Sequence, residues 1–127
     1  VPDMGGAALL RELVSIDVAK ELAMTGRILT GTQALGLKLV THVTATPLDM
    51  ARALAAEIAS RSPDAVAAAK FLLQESWHAA EPDALATERK WQRRLLAGRN
   101  QRVAVRRNAP RGPDDPEVPF VPRRIGG

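Results

Sequence analysis

Two groups of residues in this chain combine types and spacing that could do chemistry. The first is Val1-Pro2-Asp3-Met4-Gly5-Gly6. Two glycines ahead of an apolar-periodic run let the backbone turn into a helix N-terminus, whose free N–H groups can receive an anion. The same pair serves equally well in a tight turn with no ligand. Asp3 could act as a general base or orient a water. It could equally cap the helix that follows Gly6.

The second group is a basic block. Arg89, Lys90, Arg93, Arg94, Arg99, Arg102, Arg106, Arg107 and Arg111 are half of the chain's 18 Lys and Arg residues, and no acid interrupts them. The formal net charge of +4 hides this asymmetry. Such a block suits a polyanion, an acidic protein surface or plain solvent. Arginine grips phosphate in a bidentate way and stacks on planar rings. Nucleic acid ranks last among the partners: Trp91 is the one aromatic within the block, too few to interleave for base stacking, and no reader motif occurs.

Other chemistries are excluded by type or spacing. The chain has no cysteine, so disulfides, thiol nucleophiles and thiolate metal sites are ruled out. His42 and His78 stand far apart without paired ligands at metal spacing, and both read as structural. No apolar run approaches the roughly 20 residues of a membrane helix. No charged segment followed by an apolar one marks a signal peptide, so the cytoplasm is the default location.

The elements that must position these groups read as helices. Of the 127 residues, 46% are hydrophobic but only 3% aromatic, and much of the apolar content is alanine, so the core is thin for the length. Ala7, Leu10 and Val14 repeat at helical spacing. Ser15 and Asp17 open a second helix over Ile16 to Met24, and Gly26 can end it in a left-handed cap. Thr30-Gly31-Thr32 caps a third short helix over Gln33 to Leu37. Leu39 to Val43, rich in β-branched residues, predicts the one strand. Thr46-Pro47 and Ser62-Pro63 are helix starts with a capping hydroxyl and proline at the first helical position. Pro82-Asp83 opens another helix closed by Gly98, and Asn100 caps a last one to about Asn108. Trp77, Trp91, Leu73 and Leu95 fall where one helix–helix interface could form, either in the core or between subunits. Residues 110–127, with five prolines and three glycines, read as extended or disordered, anchored by Phe120 and Val121. The implied division is 1–45, 46–109 and 110–127.

Several segments, in order, resemble the enoyl-CoA hydratase/isomerase (crotonase) superfamily. Val1-Pro2-Asp3-Met4-Gly5-Gly6 is similar to its (I/V)-P-x-x-G-G turn. Leu22-Ala23-Met24-Thr25-Gly26-Arg27 is similar to L-x-L-T-G-R. Residues 34–43 resemble A-L-x-L-G-L-V-x-x-V, Ala55 to Lys70 resembles A-x-x-I-A-x-x-S-P-x-A-x-x-x-x-K, and Arg106 to Arg111 resembles E-K-R-x-P-R. The resemblance covers about residues 1–117. Within it Asp3 replaces a turn glycine, Lys38 replaces the glycine of L-G-L-V, and Gly112 stands where the family carries an aromatic.

The resemblance implies a mainly α fold, the C-terminal helical part of a ClpP/crotonase-like ββα spiral with about six helices and one short strand. The sheet-forming N-terminal half would lie upstream of residue 1. Residues 1–45 would end the crotonase core, and 46–109 would be an oligomerisation and CoA-closing region. The parent reaction is hydration of trans-2-enoyl-CoA thioesters in fatty-acid metabolism. No separate cofactor is needed, since the acyl-CoA is the substrate. The family's oxyanion-hole segments and catalytic carboxylates precede the Pro-x-x-Gly-Gly turn. Losing one oxyanion donor typically costs a hundred- to a thousand-fold in rate, and losing acid–base groups roughly a hundred- to ten-thousand-fold. The expectation is therefore a chain inactive alone that needs a separate N-terminal half, with Asp3 the one weak catalytic candidate. Pro2, Gly5, Gly6 and Arg107 are the substrate- or CoA-binding candidates, Arg107 matching the family's lysine. Met24, Trp77, Trp91 and Leu95 are the interface candidates for a homo-oligomer, a trimer or dimer of trimers in the family. The competing expectation is a non-catalytic helical interaction module that applies its basic face to an acidic partner.

Overall fold

The computed structural model describes residues 4–110 and 116–125. Among these, seven helices follow one another: α1 (Gly6–Leu10), α2 (Ile16–Thr25), α3 (Gly31–Gly36), α4 (Pro47–Ala59), α5 (Pro63–Ser76), α6 (Glu81–Leu96) and α7 (Arg99–Asn108). The chain divides into two compact units, Val1–Ala51 and Arg52–Gly127. The division falls inside α4.

Local cap chemistry sets the helices of the first unit. Gly5 turns into α1 with φ of +88°, a left-handed backbone that glycine adopts without steric cost. Past Leu10 the chain tightens into i→i+3 bonds, Glu12 N–H to Leu9 O and Leu13 N–H to Leu10 O, so α1 stops short of the expected Val14. α2 ends on Gly26, whose φ is +60° and whose N–H reaches Leu22 O at 3.0 Å. α3 opens with a reciprocal box. The Thr30 hydroxyl accepts from Gln33 N–H, and Gln33 Oε1 accepts from Thr30 N–H at 2.9 Å, which satisfies two helix-start donors.

The expected strand over Leu39–Val43 is absent: no strand occurs among the described residues. Those backbone groups meet no partner strand, and α3 claims the first of them. Lys38 turns left-handed with φ of +61°. Its N–H bonds Leu35 O at 3.0 Å, and Leu39 N–H bonds Ala34 O at 2.9 Å. That pair is the Schellman pattern, which usually places glycine where Lys38 sits. The β-branched run serves packing instead. Val43 lies over the bare face of Gly31, where a Cβ would meet Val43 Cγ1 at 3.1 Å.

The core lies in the second unit. α5 and α6 form its main helix pair, and Ala67, Ala68 and Trp91 are its buried apolar residues. α5 starts as its residues imply, with Pro63 in the first turn and Ser62 Oγ accepting from Ala65 N–H. The Phe71 and Trp91 rings stack at 5.4 Å between centroids. Trp91 Nε1–H donates to Glu75 Oε2, which also accepts from Lys90 Nζ at 2.8 Å. No described residue of the first unit is buried. Gly98 both follows α6 and precedes α7. Its N–H bonds Leu95 O, and a Cβ there would press on that same oxygen at 3.0 Å.

Candidate functional site

Asp64 sits in the first turn of α5 and Asn100 in the first turn of α7, and both are buried. Asn100 is not the helix cap its position suggested: Gly98 occupies the cap. A side-chain amide placed two residues further on points inward instead. Asn100 Nδ2 donates to Asp64 Oδ2 at 2.8 Å and to Val121 O at 3.0 Å, and Asn100 Oδ1 accepts from Val121 N–H at 2.9 Å. The amide thus pairs with both backbone groups of Val121 as a neighbouring strand would. Asp64 Oδ1 accepts from Arg124 N–H at 2.7 Å and Ile125 N–H at 3.3 Å.

Burial works to raise the Asp64 pKa, but the hydrogen bonds from Arg124 N–H, Asn100 and Ile125 N–H outweigh it and hold the carboxyl below its ordinary value. A buried charge is tolerable only when its lone pairs are occupied in this way. Residues 116–125 form neither helix nor strand. They are also tied to α5 and α7, which the composition could not indicate.

Arg107 makes the second anchor of this tail. Its Nε donates to Val118 O at 2.8 Å, its Nη1 pairs with Glu117 at 2.8 Å, and its guanidinium lies 4.1 Å from the Phe120 ring centroid. A phosphate on Arg107 would have to displace Glu117, whose side chain is mostly solvent-exposed. Beside it Ser60, Arg61, Ser62, Ala104, Asn108 and Phe120 complete a cleft of about 190 Å³.

The other candidates fall in different places. Pro2 and Asp3 lie outside the described residues, as do Arg111 and Gly112. Gly5 and Gly6 form the α1 entry turn, and α1 is only five residues long. Trp91 is buried in the chain's own α5–α6 packing, whereas Met24 at 83% and Trp77 at 67% exposure are open to a partner. Leu95 is partly buried. Glu75 is held below its ordinary pKa chiefly by the Lys90 hydrogen bond. Asp17 is held low chiefly by the Ser15 hydroxyl. Each of these three carboxyls is thus biased toward the ionised form. No helix among the described residues is long and apolar enough to cross a membrane.

No protein-family model matches the chain. Curated relatives do. YngF of Bacillus subtilis (strain 168), named for a proposed enoyl-CoA hydratase/isomerase activity, is 35% identical over 108 residues, covering 83% of this chain and 41% of YngF. The mitochondrial enoyl-CoA hydratase domain-containing protein 2 of Bos taurus is 39% identical over 79 residues, covering 58% of this chain and 27% of the relative. Its Homo sapiens counterpart matches to the same extent. The chain thus spans well under half the length of these relatives. With helical architecture and relatives that share these names along most of its length, the chain belongs to the enoyl-CoA hydratase/isomerase (crotonase) superfamily.

Proposed function

We propose that this chain supplies the C-terminal helical portion of an enoyl-CoA hydratase-like enzyme and does not turn over substrate alone. The observation that carries this reading is the match itself, with relatives of that name of which the chain spans 41% and 27%. Two features of the molecule support it. The first unit buries no described residue and leaves Leu9, Ile16, Met24 and Ile28 more than 60% exposed. Apolar surface of that extent calls for a covering partner. The second is the state of Asp64, the one buried carboxylate among the described residues: its oxygens are committed to Asn100 and the tail, and its charge is stabilised. A general acid needs the opposite tuning.

In the completed enzyme, the oxyanion donors and acid–base carboxylates would come from sequence outside this chain. The reaction would be addition of water across the double bond of a trans-2-enoyl-CoA. Gly5, Gly6 and Pro2 would border the acyl site, and Arg107 would meet a CoA phosphate by exchanging its Glu117 partner. Met24 and Trp77 would meet neighbouring subunits.

The test is crotonyl-CoA hydration, followed by loss of enoyl absorbance, with the full chain alone and then mixed with the complementary N-terminal half of a relative. Silence alone and turnover on mixing is the expected result. Turnover by the chain alone overturns the reading. Silence in both, with a stable oligomer of the chain by itself, favours the interaction module, a reading to which the second unit's own core lends support.

A further inference from the structure

A second cleft opens where the tail crosses the α6–α7 junction. It measures about 550 Å³ and is lined by Asp64, Arg94, Ala97, Gly98, Arg99, Arg124 and Ile125. Three arginines and a single carboxylate therefore contribute to its lining, a formal charge of +2. That carboxylate is committed elsewhere, since Oδ2 accepts from Asn100 and Oδ1 from the Arg124 and Ile125 amides.

Each arginine arrives by a different route. Arg94 is carried on the last turn of α6 and lies 5.0 Å over the indole of Trp91. Arg99 is the first residue of α7. Arg124 is delivered by the tail, and its own backbone N–H is the atom that Asp64 holds. None of the three guanidiniums makes an ion pair among the described residues. Arg94 acts on Glu75, and Arg124 on Asp64, only through space. α7 begins without a side-chain cap and without an acid in its first turn, so its positive end adds to the same field.

We propose that Arg94, Arg99 and Arg124 form a binding cleft for the phosphoryl group of a small phosphorylated ligand, assembled when Asp64 and Asn100 pin the tail. Arginine forks match phosphate oxygens two at a time. A phosphate dianion balances the formal charge of the lining, and the volume exceeds what one carboxylate would fill. The site is separate from Arg107; its coenzyme A arm rests on the hydratase reading, whereas its pyrophosphate arm does not. The phosphoryl group could belong to free pyrophosphate or to a nucleotide-bearing molecule such as coenzyme A.

The test is calorimetric titration of the full chain at physiological salt with inorganic pyrophosphate, with adenosine 3′,5′-bisphosphate and with coenzyme A. Saturable binding of at least one probe is expected, weakened tenfold or more by Arg99→Gln and by Arg124→Gln. Arg102→Gln, on α7 but outside the cleft, should leave it within twofold. Binding of all three probes identifies the phosphoryl group itself as the recognised element. Binding of only the two nucleotide probes, with the same arginine dependence, identifies a phosphate carried on a nucleotide. Thermal melts check that the variants stay folded, and both glutamine variants alter exposed side chains. No saturable binding of any probe overturns the proposal. So does an equal loss in Arg102→Gln, which would mark diffuse charge rather than a site.

Discussion

Asn100 and Asp64, 36 residues apart, meet through a 2.8 Å hydrogen bond. That contact joins the starts of two helices and leaves each side chain further groups with which to hold the tail. Replacing Asn100 by Ala removes three hydrogen bonds and leaves Asp64 Oδ2 buried without its donor. An unsatisfied buried group costs about 1–3 kcal/mol, more when charged. Asn100→Ala should therefore lower the urea midpoint of the full chain and open residues 116–125 to limited proteolysis. An unchanged midpoint and an equally protected tail would show that the clasp contributes nothing.

The same carboxylate gives the second unit a definite acid response. Asp64 is held below its ordinary 3.8 in the folded chain. The unfolded chain therefore takes up the proton first as pH falls. The stabilisation is fully present above the ordinary value and disappears as pH drops through the lower folded one. The protection of the Arg124 and Ile125 amides, taken relative to their intrinsic exchange rates at each pH, should fall below about pH 4 and hold above it. Asp64→Asn should flatten that dependence at a constant stability cost, since its added amide donor must face Asn100 Nδ2 or a tail N–H. An identical acid profile in Asp64→Asn would assign the response to other carboxyls.

Lys38 occupies a left-handed position at the end of α3, where an L side chain costs roughly 1–2 kcal/mol relative to glycine's freedom. Lys38→Gly should slow amide exchange of Leu39, the donor that closes the helix onto Ala34. The gain should be about 1 kcal/mol, trimmed by the extra entropy glycine brings to the unfolded chain. Slower exchange in the lysine form would mean that the cap is set by something other than backbone preference.

What could be read from the residues follows one rule. Features decided within four or five positions were legible: the Thr30 cap, the Ser62-Pro63 start and the left-handed Gly26 all stand as their neighbours implied. Features decided at long range were not. Leu39–Val43 has strand-like side chains, but a strand also needs a partner backbone, and α3 takes the Leu39 amide first. Asn100 has the side chain of a cap and the position of a clasp. Its partners are Asp64 and the main chain of Val121, and main-chain atoms leave no mark in a sequence. The basic block was evident, but its sorting was not. Arg107 goes to the tail, while Arg94 and Arg99 go to a cleft whose third arginine lies outside the block altogether.

The two tryptophans looked alike in sequence and are not alike in the fold. Trp91 is 5% exposed, stacked on Phe71 and bonded to Glu75, while Trp77, at the C-terminal end of α5, is 67% exposed. Truncating a buried aromatic typically costs about 3–5 kcal/mol, and changing an exposed one usually shifts stability by less than about 0.5 kcal/mol. Trp91→Ala should therefore unfold the second unit at markedly lower temperature whatever the assembly state. Trp77→Ala should leave the melting of dilute protein almost unchanged. If Trp77 packs between subunits, the same substitution should shift the sedimentation profile at higher concentration toward smaller species. A Trp77→Ala protein that sediments like the parent at every concentration would remove this residue from any subunit contact. A large thermal loss in that variant at low concentration would instead mean that the chain's own fold covers the ring.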